Sequence, residues 1–273
     1  MKSWADVPPK HGRPGPGGYL RFLIRGTLIL ILAYGGLALL LAARLVERPI
    51  CGPGRPVTQN FARVVSRAAL ALMGLRVVIR GQPMRKPGAI VANHSSWLDV
   101  FVLNAAQNVF FVAKSEVASW PLIGWLARAT GTMFIARKGA EAHRQKLAFE
   151  ARLKVGHRLL FFPEGTSSDS IRVLPFKSTL FQAFYAPELE RAMHIQPVTV
   201  IYHAPPGEEP RFYGWWGDME FFSHFLTTLA ARRQGWVELI FHPEVPVDAF
   251  AGRKELAQHC ERVIRTAHVN AVA

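Results

Sequence analysis

Gly26 to Ala43, GTLILILAYGGLALLLAA, runs for 18 residues without a charged side chain. As a helix rising 1.5 Å per residue it reaches about 27 Å, close to the hydrocarbon thickness of a bilayer. A chain carrying such a run must bury it or place it in lipid. Arg21 and Arg25 flank one end and Arg44 and Arg48 the other. Basic residues on both sides leave the orientation open under the positive-inside rule. A cleaved signal peptide competes, but the run is long for its apolar region and the stretch before it is extended. The expectation is a membrane-embedded or re-entrant helix. Residues 1–18, rich in Pro, Gly and basic side chains, read as a flexible tail.

Pro49, Gly52, Pro53, Gly54 and Pro56 break the chain after this run. Thr58 can cap a following helix, whose apolar residues fall at Phe61, Val64, Val65, Ala68, Ala69 and Leu72. Arg63 and Arg67 project from other sides. Two readings stay open: an interfacial helix with arginines at lipid phosphates, or a helix packed on the next domain. Residues 19–74 are thus expected to form the membrane-associated helices.

From Leu75 onward strand-like and helix-like stretches alternate. Residues 75–80, 89–92, 109–113, 132–136, 158–162, 195–202 and 236–242 read as strands. Helical patterns cover 97–106, 122–129, 140–155, 178–186, 219–232 and 254–267. This alternation predicts one α/β domain over 75–273, with a mixed, largely buried sheet flanked by helices. With 33 Lys and Arg against 19 Asp and Glu, the formal net charge is +14. The excess points to anionic partners. The basic residues are scattered, without zinc-finger spacing or a basic arm, so a membrane surface is expected and nucleic acid is not. Cys51 and Cys260 form neither a disulfide framework nor a metal pattern, which suits a reducing, cytosol-facing domain.

Three stretches carry chemistry. Asn93-His94-Ser95-Ser96-Trp97-Leu98-Asp99 follows the strand-like Ala89–Ala92. A histidine with a carboxylate five residues on can form a base and its orienter. Five residues turn about 500° on a regular helix, so the pair meets only if His94 precedes the helix and Asp99 lies in its first turn. Alone, the stretch reads better as a capping box of Ser96 and Asp99. Asn93-His94-Ser95 also matches a glycosylation acceptor. Gly131–Lys138 is a strand ending in Arg137 and Lys138; the arginine fork suits phosphate, though alone the stretch reads better as a solvated strand end. In Leu160–Ser167, Pro163 stops a strand and Gly165 permits a turn, presenting Glu164 and Thr166 at the sheet edge. Alone, that is a plain turn with an exposed acid.

The order NHSSWLD, GTMFIAR, FPEGT and then Ile195-Gln196-Pro197-Val198 resembles the four motif blocks of the glycerolipid acyltransferases. More narrowly it resembles the 1-acylglycerol-3-phosphate acyltransferase family, over roughly Arg80 to Tyr202. The resemblance implies His94 as catalytic base and Asp99 as its orienting acid. It implies Arg137 at the acceptor's phosphate, Glu164, Gly165 and Thr166 at the acceptor, and Lys114 as a second phosphate contact. One departure is Lys177-Ser178-Thr179, where relatives carry a glycine near Thr179. Trp215-Trp216-Gly217-Asp218-Met219 is similar to a bacterial subgroup that includes lyso-ornithine lipid acyltransferases.

The implied donor is a fatty acyl thioester on coenzyme A or acyl carrier protein. His94 would take the acceptor hydroxyl's proton as that oxygen attacks the thioester carbon, and Asp99 would stabilise the imidazolium. Backbone N–H groups at Ser95 and Ser96 are expected at the oxyanion. Neither a metal nor a bound cofactor is expected. The implied acceptor is 1-acylglycerol-3-phosphate, with lyso-ornithine lipid or another lysolipid as the alternative and a non-catalytic membrane adaptor as a lesser one. The implied location is a bacterial inner membrane, with the site facing the cytoplasm.

Overall fold

The computed structural model describes residues 4–272 apart from Pro8, Lys10, His11, Pro53, Ala136, Arg137, Lys138, Pro187, Glu188, Glu190 and Arg191; for Asp6 and residues 139–146 it describes the backbone alone. In chain order the elements are α1 (Pro16–Cys51), α2 (Gln59–Met73), β1 (Arg76–Arg80), β2 (Gly88–Ala92), α3 (Asp99–Ala106), β3 (Phe110–Lys114), α4 (Ile123–Thr130), β4 (Met133–Ile135), α5 (Gly139–Lys154), β5 (Leu159–Phe161), β6 (His194–His203), α6 (Phe221–Ala230), β7 (Trp236–Phe241), β8 (Val245–Pro246) and α7 (Arg253–Val272).

The strands form one eight-stranded mixed sheet in the order β1-β7-β6-β2-β5-β3-β4, with β8 beside β6. Parallel pairing links β6, β2, β5, β3 and β4, whereas β6 and β7 are antiparallel. β2 is central and wholly buried, and its side chains alternate between faces as a strand's must. Ile90 and Ala92 join a core under α2, α3 and α6. Ala89 and Val91 join a second core with Phe149 and Leu153 of α5 and Leu256, Cys260 and Ile264 of α7. Burial on both faces is why this strand reads as an unbroken apolar run.

α1 is long and apolar enough to cross a membrane, by length and composition, and 11% of its apolar window is buried. It begins at Pro16, inside the stretch read as a tail. Nearer the terminus, Trp4 packs on Trp216 at a ring separation of 6.2 Å, and the Arg172 guanidinium lies 4.5 Å over the Trp4 ring. Arg21 Nε donates to Ala230 O at 2.8 Å, and Arg25 Nη1 donates to Leu229 O and Ala231 O, each at 2.8 Å. These bonds cap the carbonyl end of α6, where cations are favoured.

For α2 the structure takes the packed alternative. Ser66, Ala69, Leu70 and Met73 are buried. Arg67 Nε donates to Ala105 O at the end of α3 at 2.8 Å, rather than standing free for a lipid phosphate. The expected helix at 178–186 is instead a 3-10 helix, Leu180–Tyr185. Phe181 and Phe184 are both fully buried. Residues three apart eclipse in a 3-10 helix, so that geometry sends both rings into one core.

Candidate active site

β2 ends at Ala92, and the next residue takes over its pairing by side chain. Asn93 Nδ2 donates to Val200 O at 2.9 Å, and Val200 N donates to Asn93 Oδ1 at 2.8 Å. The backbone is thereby released from the sheet while β6 stays satisfied. Asn93 is buried with both amide atoms engaged, which removes the glycosylation alternative. His94 follows at the carboxyl edge of the parallel strands, where open α/β sheets bind ligands.

α3 begins at Asp99, so His94 precedes the helix and Asp99 opens it, as the dyad requires. His94 Nδ1 donates to Asp99 Oδ2 at 2.7 Å. Ser95 N and Ser96 N donate to the same oxygen at 2.8 and 3.0 Å. The Ser96–Asp99 capping box does not form: the N-cap is Leu98, without a side-chain cap bond, and the Asp99 carboxylate instead gathers the loop N–H groups before the helix. These are the two N–H groups expected at the oxyanion; they hold Asp99 instead. The fourth donor is Tyr202, whose hydroxyl reaches Asp99 Oδ1 at 2.6 Å.

The imidazole stacks on Phe162 with ring centroids 4.1 Å apart and planes 12° from parallel. With Nδ1 committed to Asp99, Nε2 is the nitrogen left to receive a proton, and the His94 side chain keeps 21% of its surface exposed. A histidine fixed in one tautomer by a buried carboxylate is equipped for general base work. The loop is pinned again by Ser168 N to His94 O at 2.8 Å and Trp215 N to Ser95 O at 2.9 Å.

Glu164 sits behind the dyad and is 2% exposed, not presented at the sheet edge. Its Oε1 accepts from His94 N at 3.0 Å and its Oε2 from Leu174 N at 3.2 Å. Burial pushes its carboxyl up to about 8, with the Asp99 charge adding to the effect. Gly165 adopts φ +71°, in the left-handed region that favours glycine. Thr166 is exposed beside it. Lys114 is exposed at the end of β3, in register with Ile135 of β4. The structure thus gathers His94, Asp99 and Glu164 into one bonded unit, with Gly165 and Thr166 on the adjoining turn and Lys114 further along the same sheet edge. Arg137 lies outside the described residues.

Sequence reasoning missed Tyr202 and Phe162. Both sit in apolar strand-like runs, and nothing in their spacing marks them. Among the described residues no group of three or more His, Cys, Asp or Glu is arranged to hold a metal ion.

An α/β sheet with a His–Asp pair at its carboxyl edge, the acid buried and the histidine part-exposed, and a long apolar helix before it defines a class, and comparisons narrow it. Residues 76–201 match the family described as Acyltransferase. The chain is 52% identical over 261 residues, 96% of its own length and 95% of the other's, to the lyso-ornithine lipid O-acyltransferase of Rhodobacter capsulatus. It is 36% identical over 134 residues, 48% of this chain and 52% of the other, to the 1-acyl-sn-glycerol-3-phosphate acyltransferase of Neisseria gonorrhoeae. The crystal structure of the 1-acyl-sn-glycerophosphate acyltransferase PlsC from Thermotoga maritima shares the fold, with a TM-score of 0.60, 20% identity and coverage of 91% of this chain and 98% of that one. The chain belongs to the glycerolipid acyltransferase superfamily, and it is an acyltransferase.

Proposed function

We propose that this enzyme moves a fatty acyl group from a thioester, on coenzyme A or acyl carrier protein, to the free hydroxyl of lyso-ornithine lipid. The observation that carries this choice of acceptor is the 52% identity, end to end, with a lyso-ornithine lipid O-acyltransferase. Similarity to the Neisseria 1-acyl-sn-glycerol-3-phosphate acyltransferase spans 48% of this chain. The acceptor first favoured by the motif order therefore becomes the second reading.

In the proposed mechanism His94 Nε2 takes the proton from the acceptor hydroxyl as its oxygen attacks the thioester carbonyl. Asp99 stabilises the imidazolium across the 2.7 Å bond to Nδ1. Collapse of the tetrahedral species breaks the C–S bond, and the imidazolium returns its proton to the departing thiolate. A new ester and a free thiol result. Glu164, held by two backbone N–H groups, acts as a positioning residue for the His94 backbone. Thr166 and Lys114, both exposed on this edge, are proposed to meet the acceptor.

Steady-state assay of purified full-length protein on lyso-ornithine lipid and 1-acylglycerol-3-phosphate tests this. The expected kcat/KM is higher on lyso-ornithine lipid, and His94→Ala should lower turnover on it by about 10²–10⁴-fold. A preference for 1-acylglycerol-3-phosphate returns that acceptor, and near-normal turnover in folded His94→Ala removes the dyad.

We further propose that α1 keeps the enzyme on the bacterial inner membrane where its lipid acceptor resides, with the site facing the cytoplasm. The exposed residues Leu20, Leu23, Ile24, Leu28, Ile31 and Leu39 supply an apolar stripe for that contact.

A further inference from the structure

Away from the His–Asp pair, the carboxyl-terminal half of α1 and the helix α4 enclose a groove of about 920 Å³. Five arginines line it: Arg44, Arg48, Arg55, Arg128 and Arg152. Leu37, Leu40, Leu41 and Trp125 supply apolar wall beside them. Arg55 Nη1 donates to Ala129 O at 2.7 Å and Arg152 Nη2 to Gly131 O at 3.0 Å, just before β4. The Arg152 guanidinium also lies 5.2 Å over the ring of Phe110, the first residue of β3. The groove therefore sits at the amino edge of the parallel strands. The catalytic histidine sits at the carboxyl edge, and a five-residue strand such as β3 separates the two edges by about 15 Å.

Five guanidiniums in one groove repel one another unless an anion joins them. Behind the lining, Glu47 bonds to Arg44 Nη1 at 3.0 Å and also accepts from the Val57 and Thr58 backbone at 2.8 and 3.0 Å. Among the described residues the groove lining holds five arginines and no carboxylate, which leaves it strongly positive. The effect reaches its neighbours: Arg55 is brought down to about 10 by burial and then by the charges of Arg44 and Arg152. The His157 imidazole is pushed down to about 4 by burial and then by Arg152, Arg55 and Arg44. Backbone carbonyls fix Arg55, Arg152 and Arg44 without neutralising them, and each guanidinium carries five donors, more than those bonds use. Arginine forks match phosphate oxygens bidentately.

The apolar wall belongs largely to α1, the helix with the lipid-facing stripe, and Trp125 of α4 is 61% exposed. An occupant must present a phosphate to the arginines and a hydrocarbon chain to the leucines. We propose that this groove binds an intact anionic phospholipid of the surrounding bilayer, its phosphate on the arginine cluster and an acyl chain along Leu37, Leu40 and Leu41. Such a lipid would be a resident ligand, separate from the acceptor and the acyl donor.

Thermal unfolding and equilibrium binding of the full-length protein in detergent test this, with dihexanoyl phosphatidylglycerol, dihexanoyl phosphatidylcholine and inorganic phosphate as probes. Phosphatidylglycerol should raise the melting temperature and bind at least about tenfold more tightly than either other probe, the equivalent of about 1.4 kcal/mol. Arg48→Gln with Arg128→Gln, two exposed positions, should lose about tenfold of that affinity, whereas His94→Ala should bind as wild type does. A phosphatidylglycerol carrying a diazirine in its acyl chain should label the peptide 37–55 or Trp125. Equal binding of phosphatidylcholine, or labelling elsewhere, overturns the proposal. Inorganic phosphate binding as tightly as the lipid reduces the groove to a free-anion site, and loss of binding in His94→Ala transfers the ligand to the catalytic edge.

Discussion

Tyr202 and Glu164 surround the His94–Asp99 pair, and each carries its own test. Asp99 is fully buried, so an oxygen stripped of its donor has no water to replace it. Tyr202→Phe removes the donor at Oδ1 and should destabilise the fold by about 1–3 kcal/mol. Burial first, then the Asp99 charge, pushes the Tyr202 hydroxyl well above the ordinary phenol value, so it stays a donor across neutral pH. As a positioning residue it should lower kcat by about tenfold, corresponding to about 1.4 kcal/mol, with KM unchanged. Steady-state kinetics and denaturant unfolding read both effects; unchanged values in both would show that Asp99 needs no help from Tyr202. Glu164 makes a prediction in pH. Its folded carboxyl holds a proton up to about 8, against an ordinary value of 4.5. Between those values the folded chain binds a proton that the unfolded chain has released. Stability from this group is therefore full below about 4.5 and declines as pH rises towards about 8. Glu164→Gln has no proton to lose, so the stability difference between wild type and variant should shift against wild type over that window. Denaturant unfolding of both proteins across it checks this, and a difference independent of pH would mean Glu164 is ionised throughout.

At the level of elements, legibility followed burial pattern. β2 and β5 were readable because buried strands of a sheet covered on both sides are continuously apolar, as GAIVA and LLF are; β3, β6 and β7 were readable from β-branched and aromatic runs that tolerate Lys114, Gln196, Thr199 and Glu238. β8 escaped, since a two-residue strand containing Pro246 has no periodicity to detect. The 3-10 helix at Leu180–Tyr185 passed for an α-helix because three-residue apolar spacing suits both. The open question over α2 could not be decided in sequence: Arg67 looks alike whether it meets a lipid phosphate or the Ala105 carbonyl. In the site, the His94 and Asp99 spacing was legible once the helix start was placed between them. Glu164 was legible as a residue but not in its placement. The turn signal at Pro163 and Gly165 suggested exposure, while the structure folds the acid inward onto the His94 N–H. The arginine groove was invisible because its members lie on α1, the loop after it, α4 and α5, and converge only in three dimensions.

The whole molecule constrains how α1 meets the membrane, because the domain touches that helix along its length. Near its start, a Cβ on Gly26 would lie 3.8 Å from Leu229 of α6. At its middle, a Cβ on Gly36 would come within 2.7 Å of Val65 of α2, a contact only glycine allows. Towards its end, Leu37 to Arg48 face Trp125 to Ala129 of α4 across the groove. Crossing the bilayer in this packing would drag α6, α2 and α4 into hydrocarbon, where polar groups lose their partners in water. The proposed arrangement is instead a helix lying along one face of the membrane, its apolar stripe in the lipid and its other side on the domain. Residues 17 and 51 are separated by about 51 Å along the helix, so a crossing helix would place them on opposite sides. Cys51 is exposed and serves as one probe; Gly17→Cys in a Cys51→Ser background serves as the other. Cys260 is buried and its thiol is pushed up to about 12, so it stays silent. A membrane-impermeant maleimide applied to sealed inside-out vesicles should label both probes. Labelling of one probe from each side would show that α1 crosses the membrane and leaves the domain to do so.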